Sequence, residues 1–199
     1  MPLRAALLAV ALLPVPALAG HGLLNSFSSL EWLPTPARTP DQWHYGLDTL
    51  RENLQLMTAD GPSAQFALCL IYLREKLAEA EAMVSKNDRA AATIASLRYR
   101  EYLGRALALT EQATGTQATS LRAGLALALL EHRYILSVDY PDLPAASRSV
   151  IANLITDAGT QYDSLRAKLP HTVSAPLFFK EEEVRWSWEM AQRAAEQGL

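Results

Sequence analysis

A single cysteine, Cys69, stands among 199 residues. One thiol cannot close an internal disulfide, nor can it build a cysteine-rich metal site. There is no basic surplus: 18 Lys and Arg face 21 Asp and Glu, for a formal charge of −3. A chain so balanced lacks the positive footprint that offsets a phosphate backbone, so nucleic acid is excluded as the main partner. The histidines, at 21, 44, 132 and 171, form no His-x-x-x-His and no Glu-x-x-His spacing, so the usual helical metal motifs are missing. Gly-x-Ser-x-Gly, Gly-x-Gly-x-x-Gly and phosphate-loop patterns do not occur. On these grounds no catalytic, cofactor-binding or metal-binding residue is expected, and the chain reads as a non-enzyme. Proline is missing between Pro62 and Pro141, a stretch open to long unbroken helices.

What is present favours helices. Half the residues are hydrophobic and a fifth are charged, enough for a sizeable core. Leu (34) and Ala (33) make up a third of the chain, and both are good helix formers. At the N-terminus, Arg4 precedes an apolar run over 5–15, and Ala17-Leu18-Ala19 sets small residues where a signal peptidase reads. This is the pattern of a secretory signal cleaved after Ala19. The apolar run is too short for a stable membrane span. Export to the periplasm or cell envelope is therefore expected. Residues 20–39 read as an extended lead-in, and residues 40–199 as a single helical domain.

Within that domain the breaks are clear. Thr39-Pro40-Asp41-Gln42 reads as a helix start, with Thr39 as cap and Gln42 completing a capping box. Trp43, Leu47, Leu50, Leu54 and Met57 then fall at spacings of 4, 3, 4 and 3, on one helical face. Asp60-Gly61-Pro62 breaks the chain. A second helix over 63–85 carries Phe66, Leu70, Leu73, Leu77, Ala80 and Val84 as a packing seam, with Arg74, Glu75, Lys76 and Glu79 on its other faces. Lys86-Asn87-Asp88 is a tight turn into a third helix over 89–113, whose inner stripe includes Tyr99 and Tyr102. The short turn forces an antiparallel hairpin. A fourth helix over 117–138, a fifth over 145–169 and a sixth beginning near Pro176 complete an all-α, up-and-down bundle of five to six helices.

The stretch 44–109 resembles a family of exported bacterial helical domains of unknown function. Two segments carry the resemblance: Tyr45-Gly46-Leu47-Asp48-Thr49-Leu50-Arg51-Glu52-Asn53-Leu54-Gln55-Leu56, and Leu73-Arg74-Glu75-Lys76-Leu77-Ala78-Glu79-Ala80-Glu81-Ala82-Met83. The family pairs an aromatic, acidic-apolar first helix with a helix marked Arg-Leu-Ala-Glu-Ala. Here Lys76 replaces the usual Arg, which removes the bidentate fork such a position would offer a carboxylate. The resemblance implies an extracytoplasmic helical domain and no catalytic residue.

Two functional readings follow. The first is a non-enzymatic envelope protein acting as an interaction or scaffold domain, through a protein partner or self-association. The alternative is a small-ligand or metal-binding bundle whose polar groups meet only in three dimensions. For the first, the C-terminal helix supplies candidate contact residues. With Val184 and Trp188 turned inward, Trp186 points away from the bundle, and Phe179, seven residues earlier, shares its side. Trp is enriched at the energetic centres of interfaces.

Overall fold

In the computed structural model, which describes Phe27 and residues 30–197, every regular element is helical. The expected signal segment and most of the lead-in before residue 30 lie outside the described residues. The order is α1 (Tyr45–Thr58), α2 (Gly61–Ser85), α3 (Arg89–Gln112), α4 (Gly115–Asp139), α5 (Ala145–Arg166), a single turn α6 (His171–Ser174) and α7 (Phe178–Gln197). Short 3-10 turns at Tyr140–Asp142 and Ala175–Leu177 join the last elements.

The α2–α3 hairpin is set by its turn. The N–H of Asp88 donates to the carbonyl of Met83 at 2.9 Å and that of Asn87 to Val84 at 2.8 Å. This is the paired closure of a helix end that requires a left-handed residue, and Asn87 supplies it with φ 58°. Asp88 then caps α3 by accepting from the N–H of Ala91 at 3.0 Å. Ser147, at the start of α5, donates from its buried hydroxyl to the carbonyl of Val84 at 3.2 Å and to Oδ1 of Asn87 at 3.1 Å. The turn of one hairpin is thereby tied to the head of the next.

Helices α2 and α3 pack along the seam read from the sequence, and α4 and α5 form a second antiparallel pair stacked on the first. Leu73, Leu77, Ala80, Val84, Tyr99, Tyr102, Leu125, Leu129, Ile151 and Leu154 share one continuous core. Helix α7 lies on α4 and buries Val184. Trp188 packs half-buried against the core and edge-on to Tyr140, with ring centroids 4.8 Å apart. Leu77 has no exposed surface, so Leu77→Asp strands a carboxylate in this core. A loss of several kcal/mol is expected, read as a large drop in the thermal melt followed by circular dichroism.

Three expectations are corrected. The first helix begins at Tyr45, not near Thr39; Thr39 instead bonds the side chain of Asp41, and residues 39–44 form successive turns. The fifth helix stops at Arg166, where the ladder tightens so that the N–H groups of Lys168 and Leu169 donate three residues back, to Leu165 and Arg166, ahead of Pro170, which has no N–H to continue it. The third correction bears on function. An amphipathic helix ordinarily turns its apolar stripe inward, yet α1 buries Tyr45, Asp48, Glu52 and Leu56 and leaves Leu47, Leu50, Leu54 and Met57 in solvent.

Candidate functional site

The inner face of α1 explains the reversal. Lys76 of α2 is only 1% exposed, and its ammonium lies 2.7 Å from Oε1 of Glu52 and 2.7 Å from Oε1 of Glu79. The outer oxygens of both carboxylates are also occupied. Tyr45 donates to Oε2 of Glu79 at 2.7 Å, and Tyr102 of α3 donates to Oε2 of Glu52 at 2.6 Å. Nearby, Tyr72 donates to Oε1 of Gln55 at 2.6 Å. The sequence reading set Lys76 and Glu79 on an outer face of α2; they are buried because α1 covers them with groups that complete their hydrogen bonds. A lysine spends its three donors one at a time. Here it bridges two carboxylates on different helices, where the fork of an arginine would favour one.

Burial disfavours the charged form of Lys76, but the hydrogen bonds it donates to Glu52 and Glu79 outweigh that and hold the ammonium above the usual lysine range. Burial raises Glu79, more than Lys76 and Tyr45 lower it. Burial first, then the Glu79 carboxylate, pushes the Tyr45 hydroxyl far up, and burial with Glu52 does the same to Tyr102. Both tyrosines therefore stay protonated as donors. Each member of this cluster is engaged by the others.

Next to it, residues Pro34 to Arg38 of the lead-in roof a crevice of about 100 Å³ lined by Asp48, Arg51, Glu52, Glu75 and Glu79. Arg38 pairs with Asp48. On the other flank of α1 a wider groove of about 470 Å³ opens between α1, α2 and α3. Leu56, Cys69 and Leu109 form its apolar floor, and Asn53, Gln65, Arg105 and Gln112 its polar rim. Burial pushes the Cys69 thiol up to about 11, so it is a protonated and weakly nucleophilic group. Among the described residues, no group of three or more His, Cys, Asp or Glu is placed to hold a metal ion. No helix among them is long and apolar enough to cross a membrane.

The outer face of α1 is apolar from end to end. Leu47, Leu50, Leu54 and Met57 are all exposed, Met57 at 81%, and Trp43 in the preceding turn extends the line at 92%. A monomer rarely leaves a contiguous apolar strip of this kind uncovered. The C-terminal residues singled out from sequence are exposed too: Phe179 at 74% and Trp186 at 64%. The described part of the lead-in does not cover them. Its Phe27 is instead buried, stacked on Tyr134 of α4 at 4.3 Å with the Lys180 ammonium over its ring. Sequence reasoning picked out the α7 pair and missed the outward turn of α1. The signal was a second stripe, Tyr45, Asp48, Glu52 and Gln55, at spacings of 3, 4 and 3 on the opposite side.

Residues 37–138 match the profile of a family described as a domain of unknown function (DUF5667). That is just over half of the chain. The chain belongs to this family. The DUF5667 match runs from the turns before α1 to the end of α4, further in both directions than the stretch 44–109 that carries the resemblance in sequence. It therefore takes in every member of the Lys76 cluster, the groove and the apolar stripe, while α5 to α7 lie beyond it. Comparison with characterised proteins and with solved structures gives no match to this chain.

Proposed function

We propose that this DUF5667 chain is an exported, non-enzymatic contact domain of the cell envelope, and that α1 is its working element. The observation that carries the reading is the reversal of α1. Its polar face is consumed in anchoring the helix to α2 and α3, and its apolar face is held outward on a rigid support. A surface of that kind gains from being covered, at roughly 25 cal/mol per Å² of apolar area removed from water. The charged groups beneath it are bonded to one another, which fits anchoring better than chemistry. Export is supported by Arg4, the apolar run and Ala17-Leu18-Ala19.

Two measurements test this. The exported protein should begin at Gly20 by intact mass; recovery of the uncleaved chain from the cytoplasm alone counts against export. A photo-reactive amino acid at Leu54 should then give a cross-linked species of higher mass in the envelope, while the same group at the exposed Thr160 of α5 gives none. Equal, absent products at both positions contradict the contact-face reading.

A further inference from the structure

Resting on that reading, we propose that the occupant of the α1 face is a second copy of this chain. The two α1 helices lie antiparallel about a two-fold axis at Leu50. Trp43 of each copy seats in the groove beside Met57 of the other.

The spacing of the stripe is what a two-fold needs. Met57 stands seven residues from Leu50, about 10 Å along the helix at 1.5 Å per residue, and Trp43 stands seven residues the other way, in the turn just before α1. An axis at Leu50 therefore sets the tryptophan of one copy over the methionine end of the other, twice, while Leu47 and Leu54 meet across the seam. This is an isologous contact, in which one patch is its own complement.

The groove is the second observation. It opens at the Met57 end of α1, where the antiparallel arrangement delivers an indole. Its floor of Leu56, Cys69 and Leu109 suits the ring, and its rim of Asn53, Gln65 and Gln112 offers amide oxygens to the indole N–H. About 470 Å³ accommodates the side chain with room to spare.

Charge separates this occupant from a lipid surface. A helix that lies on a membrane carries a polar face rich in Lys and Arg. α1 has Arg51 alone, against Asp48 and Glu52, and no lysine. At the seam that same balance is harmless: the acids face inward, and Arg51, nearest the axis, lies 3.9 Å from its own Asp48.

The test uses the full exported chain in sedimentation equilibrium. A dimer with micromolar Kd is expected. Leu50→Glu should weaken it at least a hundredfold and Trp43→Ala at least tenfold, both with the thermal melt held within a few degrees. Orientation is read by cysteine cross-linking in a Cys69→Ala background, since the free thiol of Cys69 lies on the floor of the groove that would receive position 43. Leu50→Cys should join copy to copy under mild oxidant. Trp43→Cys should not self-join, but should join Met57→Cys in a mixture of the two. A chain monomeric at 100 μM, or a dimer indifferent to Leu50→Glu, or self-joining by Trp43→Cys overturns the pairing. If the chain is monomeric while the Leu54 cross-link goes to an unlike protein, pairing fails and the contact-face reading stands. If it is monomeric with no cross-link, or sediments only with phosphatidylglycerol vesicles, both fail.

Discussion

Lys76→Met is expected to lower stability by about 3–5 kcal/mol, the usual effect of removing one partner from a buried charge pair. The variant leaves Glu52 and Glu79 facing each other with no cation between them, and Glu52 is only 1% exposed. At this chain length such a loss moves the melting temperature by roughly 10 °C. The Tyr45 and Tyr102 hydroxyls still donate to the stranded carboxylates, but two hydrogen bonds do not neutralise two buried charges. Adding Glu52→Gln and Glu79→Gln to the same chain removes the orphaned charges and keeps an acceptor for each tyrosine, so more than half of the loss should return. Calorimetry of the single and triple variants decides the matter. A single variant as stable as wild type would mean that Lys76 does not bridge the helices. A triple variant worse than the single would mean that the loss came from packing and not from charge.

The second large effect is expected in acid and comes from His132. Its ring is fully buried on α4, with Nδ1 at 3.0 Å from the Tyr99 hydroxyl, ring edge to ring face. Nε2 meets no hydrogen-bonding partner among the described residues. Burial, with a smaller push from Arg74, lowers its pKa from 6.5 to about 3. The unfolded chain therefore takes up a proton near pH 6.5 that the folded chain refuses until about pH 3. Stability from this group is complete above pH 6.5 and drains away as pH falls toward 3. Between pH 6.5 and 4 the drain is about 3 kcal/mol, at 1.36 kcal/mol per unit. Asp139 works the other way. Burial raises it to about 6, so the folded state holds that proton better and gains as pH falls through the same range. The difference between wild type and His132→Gln isolates the histidine. Urea titrations at pH 7 and pH 4 should show the wild type losing about 3 kcal/mol more than the variant. Parallel losses would place His132 in contact with water.

The two hairpins were legible because their apolar period has one interpretation. A seam such as Phe66, Leu70, Leu73, Leu77 cannot face water for 25 residues, and the turn at Lys86-Asn87-Asp88 leaves no room for any arrangement but an antiparallel one. α1 was half legible. A period of 4 and 3 says that Leu47, Leu50 and Leu54 share a side; it does not say which way that side points. The answer lay in the opposite stripe, whose polar residues look solvated until their partners are known. Those partners come from three helices: Glu52 from α1, Lys76 and Glu79 from α2, Tyr102 from α3. No single window holds them together, so burial of Lys76 could not be read locally. The Arg-Leu-Ala-Glu-Ala signature of the family pointed at Glu79 without naming its companions. At the C-terminus the reasoning was local and held geometrically: Val184 packs inward, and Trp186 points away.

The two sides of α1 answer to different demands, and that has a consequence for how such a chain can change over time. Substitutions at the exposed Leu47, Leu50, Leu54 or Met57 leave the anchoring bonds in place, since these leave from Tyr45, Glu52 and Gln55 on another side of the same helix. The outward positions are thus open to rewriting while the anchoring bonds on the other side of the helix stay as they are.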